Sequence, residues 1–70
     1  SNASLKSRIN YVLARDADRQ GEYEKVMTYA TQVSEGTEYY FDAQFLLAVA
    51  QFTRKQVVQA EKTLKSLREK

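Results

Sequence analysis

Leu13 and Ala14 recur 34 positions on as Leu47 and Ala48, and their apolar neighbours Tyr11 and Val12 recur as Phe45 and Leu46. Tyr23, Val26, Ala30 and Val33 return at the same displacement as Val57, Ala60, Leu64 and Leu67, so residues 11–33 and 45–67 carry one apolar pattern twice. A period in this range is the mark of stacked helical hairpins, because one hairpin cannot bury its apolar face alone and a stacked neighbour covers it. The expected fold is therefore all-α, with four helices in two stacked antiparallel hairpins. Residues 4–70 then form one domain, its first unit about 5–36 and its second about 37–70.

Local signals agree for most of the length. Proline is absent and glycine occurs only as Gly21 and Gly36, so the two strongest helix breakers are nearly missing. Leu5, Ile9, Val12, Leu13 and Ala17 recur at helical spacing, which predicts a first helix from Leu5 to Arg19 with Ser4 as its N-cap. Gly21 ends it, since glycine takes a left-handed conformation without a Cβ penalty. Tyr23, Val26, Met27, Ala30 and Val33 mark a second helix, stopped by Gly36. Thr37 then caps a third, with Glu38 set against the helix dipole, running to about Thr53. The period next requires a turn at Arg54-Lys55-Gln56, with Lys55 standing where Gly21 stood. Here local chemistry resists, because a left-handed lysine costs on the order of 1 kcal/mol. One continuous helix over 38–70, about 50 Å long at 1.5 Å per residue, is the competing reading.

Composition removes several function classes. Seventy residues, 43% hydrophobic and 29% charged, describe a folded chain whose stability is modest, because one this short buries only about 60% of the surface its unfolded form exposes. Neither histidine nor cysteine is present, which removes the commonest general base, the commonest metal ligand and the strongest nucleophile. Asp16 and Asp18 stand two apart on a helix and do not face each other, and Glu22 and Glu24 are likewise offset. Solvation or local pairing, such as Glu22 with Lys25, is their expected role. Both glycines stand alone, so no phosphate-binding loop exists. No enzyme, cofactor or metal site is expected. The longest apolar stretch, Phe41 to Phe52, is broken by Asp42, Gln44 and Gln51 and falls short of the ~20 residues that span a bilayer. Ser1-Asn2-Ala3 resembles the remnant of a cleaved purification tag and carries no functional weight.

Gln20-Gly21-Glu22-Tyr23-Glu24-Lys25-Val26, with the Leu13-Ala14 and Leu47-Ala48 pairs, resembles the tetratricopeptide repeat, a 34-residue helix-turn-helix family. In that family glycine, an aromatic residue and a small or aliphatic one follow at these offsets in the turn into the second helix. Ala30 and Val33, echoed by Leu64 and Leu67, stand where the second helix packs. Asn10 and Gln44 replace the family's frequent tryptophan, Ala17 and Gln51 its later aromatic residue, and Glu38 its closing proline. The resemblance implies a protein–protein interaction or assembly scaffold whose first helices line a concave groove. Carried over, the groove positions are Arg8, Tyr11, Val12, Arg15 and Arg19 from the first unit and Asp42, Phe45, Leu46, Val49 and Phe52 from the second. Members that grip a C-terminal carboxylate use lysine and asparagine where this chain has Tyr11, Arg15 and Leu46, so that ligand is not expected.

The third helix is the unusual element. Tyr39, Tyr40, Phe41, Phe45, Leu46, Leu47, Val49 and Phe52 leave it almost no polar face, and a helix that is apolar all round is normally covered on all sides. Two hairpins cannot cover it. The cover is a neighbouring repeat of a longer protein, a second copy in a homo-oligomer, or an apolar peptide in the groove. Phe45, Phe52 and Tyr11 would be the aromatic anchors, with Arg8, Arg15 and Arg19 steering an acidic segment. A different class is also open: residues 54–70 hold Arg54, Lys55, Lys62, Lys65, Arg68 and Lys70 against Glu61 and Glu69, a basic segment that could bind nucleic acid or an acidic surface.

Overall fold

A computed structural model of the chain describes residues 2–69. Ser1 of the tripeptide set aside above and Lys70 of the basic segment lie outside the described residues. The order is α1 Asn2–Arg19, α2 Tyr23–Ala30, α3 Tyr40–Thr53 and α4 Val57–Arg68, with no strand among the described residues. The fold is all-α, as expected. α1 packs on α2 and α3 on α4, while α3 also lies across both α1 and α2; α4 touches α3 alone among the helices. The Cα trace measures 35 × 30 × 13 Å, a flat slab.

The turn at Lys55 exists, and the continuous helix does not. Lys55 takes φ 63°, close to the 74° of Gly21. Hydrogen bonding repeats with it. The Glu22 N–H donates to the Ala17 carbonyl at 2.9 Å and the Gly21 N–H to Asp18 at 3.1 Å; 34 residues on, Gln56 donates to Gln51 at 2.7 Å and Lys55 to Phe52 at 2.9 Å. Each set is a Schellman closure, in which a left-handed residue lets two N–H groups reach back to orphan carbonyls at the helix end. Glu22 and Gln56 then start the next helix with near-identical dihedrals, φ −91° and ψ 74° against φ −91° and ψ 64°.

Helix ends depart from expectation. α1 begins at Asn2, which places Ser4 inside the helix rather than at its cap; Ala3, the best helix former, extends the turn backwards. α2 stops at Ala30, six residues before Gly36. Its last turn tightens, with Gln32 and Val33 donating to Tyr29 and Ala30. Meanwhile Thr31 Oγ1 donates to the Met27 and Thr28 carbonyls and Gln32 Nε2 to Thr28, so side chains take bonds a longer helix would have used. Thr37 caps nothing: its hydroxyl donates to the Ser34 carbonyl at 2.8 Å, and α3 begins later, after Tyr39.

The core is built of small residues. Ala14, Ala30, Val33, Ala43 and Leu47 form one cluster and Ala17, Val26 and Ala50 another. These alanines let the helices approach closely but bury little area each. On α1 the buried residues are Ser7, Ala14 and Ala17, whereas Leu5, Ile9, Val12 and Leu13 are 40–57% exposed. The apolar stripe that announces the first helix therefore faces away from the core. Ser7, fully buried, accepts the Ser34 N–H at 2.8 Å and ties the α2–α3 connection to α1.

Candidate partner-binding grooves

α1 and α3 run side by side on one face of the slab, and between them lies a groove of about 450 Å³ lined by Tyr11, Arg15, Asp18, Arg19, Asp42, Phe45 and Leu46. Six of the ten expected groove residues thus meet at one place. Arg8 does not join them: it stands beside Leu5, Ile9, Val12 and Leu13 on the uncovered side of α1. Val49 and Phe52 share the Phe45 stripe of α3 at spacings of four and seven and are exposed at 38% and 46%, but they do not line this groove.

The basic wall is held in place. Tyr11 stacks on Tyr39 with ring centroids 5.7 Å apart and 30° between planes, a contact worth about 0.5–1.5 kcal/mol beyond burial. The Arg15 guanidinium lies 5.6 Å from the centre of the Tyr11 ring, a cation–π pair of about 0.5–1 kcal/mol at an exposed site. Arg15, though exposed, thus lies over an aromatic face. Sequence reasoning missed Tyr39 and Asp18. Asp18 follows Tyr11 and Arg15 at helical spacing and could have been found by phase; Tyr39 belongs to the connection before α3 and carries no such signal. With Asp18 and Asp42 in the groove beside Arg15 and Arg19, its charge is balanced, and the expected acidic-segment steering loses its basis in net charge.

A second groove, of about 850 Å³, lies between α3 and α4 and is lined by Phe41, Phe45, Val58, Leu64 and Leu67 with Glu61, Lys62, Lys65 and Arg68. Lys62, Lys65 and Arg68 of the basic segment therefore rim an apolar trough. The two hairpins also meet near their turns, where Arg54 Nε pairs with Glu24 Oε1 at 3.2 Å. Both side chains are more than half exposed there, so the pair contributes under about 1 kcal/mol. Glu22 pairs with Lys25 at 2.8 Å, as the spacing predicts. Its hydrogen bond, and then its charge, hold the Lys25 ammonium above the ordinary lysine value.

Among the described residues no group of three or more carboxylates gathers as a metal site would require, and no helix is long and apolar enough to cross a membrane. Compared with known proteins, the chain matches no family model, no curated sequence and no solved structure.

Proposed function

We propose that this chain is a non-catalytic interaction scaffold of tetratricopeptide type, which holds a peptide segment of a protein partner in the α1/α3 groove. The observation that carries the reading is the meeting of Tyr11, Arg15, Arg19, Asp42, Phe45 and Leu46 in one open trough. Two further features support the repeat assignment: the hairpin turn recurs after 34 residues in dihedrals and hydrogen bonds alike, and α3 packs across both helices of the preceding hairpin.

The wall chemistry defines the ligand. Phe45 and Leu46 accept an apolar side chain, and Arg15 and Arg19 accept a carboxylate, while Asp18 and Asp42 disfavour a run of negative charge. A peptide with one apolar anchor and one or two acidic residues fits. Selection from a displayed library of linear peptides should enrich that pattern, and Phe45→Ala should weaken the selected peptides by roughly tenfold or more, as loss of an aromatic anchor does. Raising salt should change affinity only mildly, because the groove charges balance. A library yielding no binders, or binders indifferent to Phe45→Ala and Arg15→Ala, counts against the reading. Steeply salt-sensitive binding of a labelled oligonucleotide, lost on Lys62→Glu and Lys65→Glu, would favour the basic-segment alternative instead.

A further inference from the structure

The internal interface between the two hairpins has two halves, and the chain carries a second version of each: the inserting one is uncovered, and the receiving one has Ala48 and Leu67 already buried but stands open at Phe45 and the neighbouring Phe41. The inserting half lies on α3 and its N-cap residue, where Tyr39, Ala43, Leu46 and Leu47 press into the cluster around Ala14, Ala30 and Val33. Moved back by 34 positions, those four become Leu5, Ile9, Val12 and Leu13. These are the residues of the apolar stripe on α1 that is 40–57% exposed. The receiving half is Tyr11, Ala14, Ala30 and Val33, with Met27 at its edge. Moved forward by 34 positions it becomes Phe45, Ala48, Leu64 and Leu67, with Glu61 at the edge. Of these, Phe45, Leu64, Leu67 and Glu61 line the α3/α4 groove, with Phe41 beside them.

We infer that the α3/α4 groove receives α1 of a second copy of this chain, in a head-to-tail contact that repeats the internal interface once more. The relation that carries the first hairpin onto the second, applied to another molecule, sets the α1 stripe into the trough. The groove is continuous with an interface the fold already uses, and the occupant's side chains are those the repeat itself supplies. Because the two halves differ, the contact is heterologous, and it grows beyond a pair unless the rotation closes a ring. Three positions temper it. Tyr40, which packs against the first cluster, has Lys6 as its counterpart on α1; Ala50, which packs with Val26 and Met27 in the second cluster, has Asp16; and Met27 has Glu61. The contact therefore brings two carboxylates together and is a reversible association rather than a permanent one.

Sedimentation equilibrium of the whole chain tests this. Average mass should rise with concentration, past that of a dimer. Ile9→Glu disables only the inserting stripe and Phe41→Glu only the trough; both residues are more than half exposed, and circular dichroism should confirm that each variant stays helical. Each alone should be monomeric, and an equimolar mixture should form a one-to-one complex that grows no further. Asp16→Ala removes one of the two opposed carboxylates and should tighten association by several-fold; the gain should reverse on dilution, as aggregation of a misfolded chain does not. A wild-type chain that stays monomeric at millimolar concentration overturns the inference and leaves the trough to another segment or partner. Self-association that survives Ile9→Glu but not Phe41→Glu overturns it as well, since that result describes a symmetric pairing of α3/α4 faces. A mixture that stays monomeric, or an Asp16→Ala variant no tighter than wild type, also counts against it. Phe45 lines both grooves, so peptide capture by the α1/α3 groove is read separately, on the monomeric Phe41→Glu variant, whose substitution lies outside that groove.

Discussion

Two residues at equivalent turn positions show how the same backbone geometry is reached by different means. Gly21 at φ 74° adopts the left-handed region freely, whereas Lys55 at φ 63° is held there by the two Schellman bonds and by the packing of the helices on either side. A side chain in that region costs about 1–2 kcal/mol, part of which returns as lower entropy in the unfolded chain. Lys55→Gly should therefore stabilise the fold by about 0.5–1 kcal/mol. Gly21→Ala should destabilise it by about 1 kcal/mol; an added Cβ would meet nothing within 4 Å, so the cost is conformational rather than steric. Urea titrations of both variants against wild type measure the pair, and equal shifts of the same sign would refute this account of the turns. A similar contrast separates Leu13 from Leu47. Leu47 is 7% exposed and Leu13 40%, although both occupy the same place in the repeat. Leu47→Ala should cost about 2–5 kcal/mol, as cavity-forming substitutions do. Leu13→Ala should change stability by under about 1 kcal/mol at dilute concentration, where no second copy covers the stripe. Thermal melts of the two variants report the difference.

At the scale of the elements, apolar residues at spacings of three and four marked the helical stretches, but the break between α3 and α4 was signalled only by the 34-residue period, against a continuous helix that the local residues at Lys55 favoured. Helix ends were less legible. Ser4 and Thr37 are good caps by residue type, yet α1 started earlier at Asn2 and α3 later, after Tyr39. The end of α2 was set by Thr31 and Gln32 bonding back to helix carbonyls, a competition that residue type alone does not decide. The least legible feature was the orientation of α1. A stripe such as Leu5, Ile9, Val12 and Leu13 announces a face to be covered, but it does not name the covering neighbour. The face that α1 turns to its own hairpin is marked instead by Ser7, Ala14 and Ala17, small residues whose signal is weak because they admit close approach rather than bury large area. Of the ten groove positions carried over from the family resemblance, six line the α1/α3 groove. Arg8 is not among them, since its phase puts it beside the uncovered stripe.

For the whole molecule, the order of contacts makes stability uneven along the chain. α3 is packed on three sides by α1, α2 and α4, whereas α4 rests on α3 alone and buries only Ala60 and Leu67. In a repeat array each unit is held mainly by its neighbours, so an end helix with one neighbour opens first. Thr63 Oγ1, which donates to Gln51 Oε1 at 2.8 Å, adds a cross-helix bond to that seam, but one such bond is worth only about 0.5–1.5 kcal/mol. Amide exchange at low protein concentration should thus show α4 opening at a lower free energy than α3, without unfolding the rest. Concentration then connects this gradient to the head-to-tail contact. A second copy seated in the α3/α4 groove covers Val58 and Leu64 of α4 and stabilises that helix by mass action, so protection of α4 should rise with concentration while protection of the α3 interior stays near the global limit. In Phe41→Glu, with the trough disabled, α4 protection should be flat across the same range. Equal protection of α3 and α4 in dilute solution would show instead that the four helices open as a single unit.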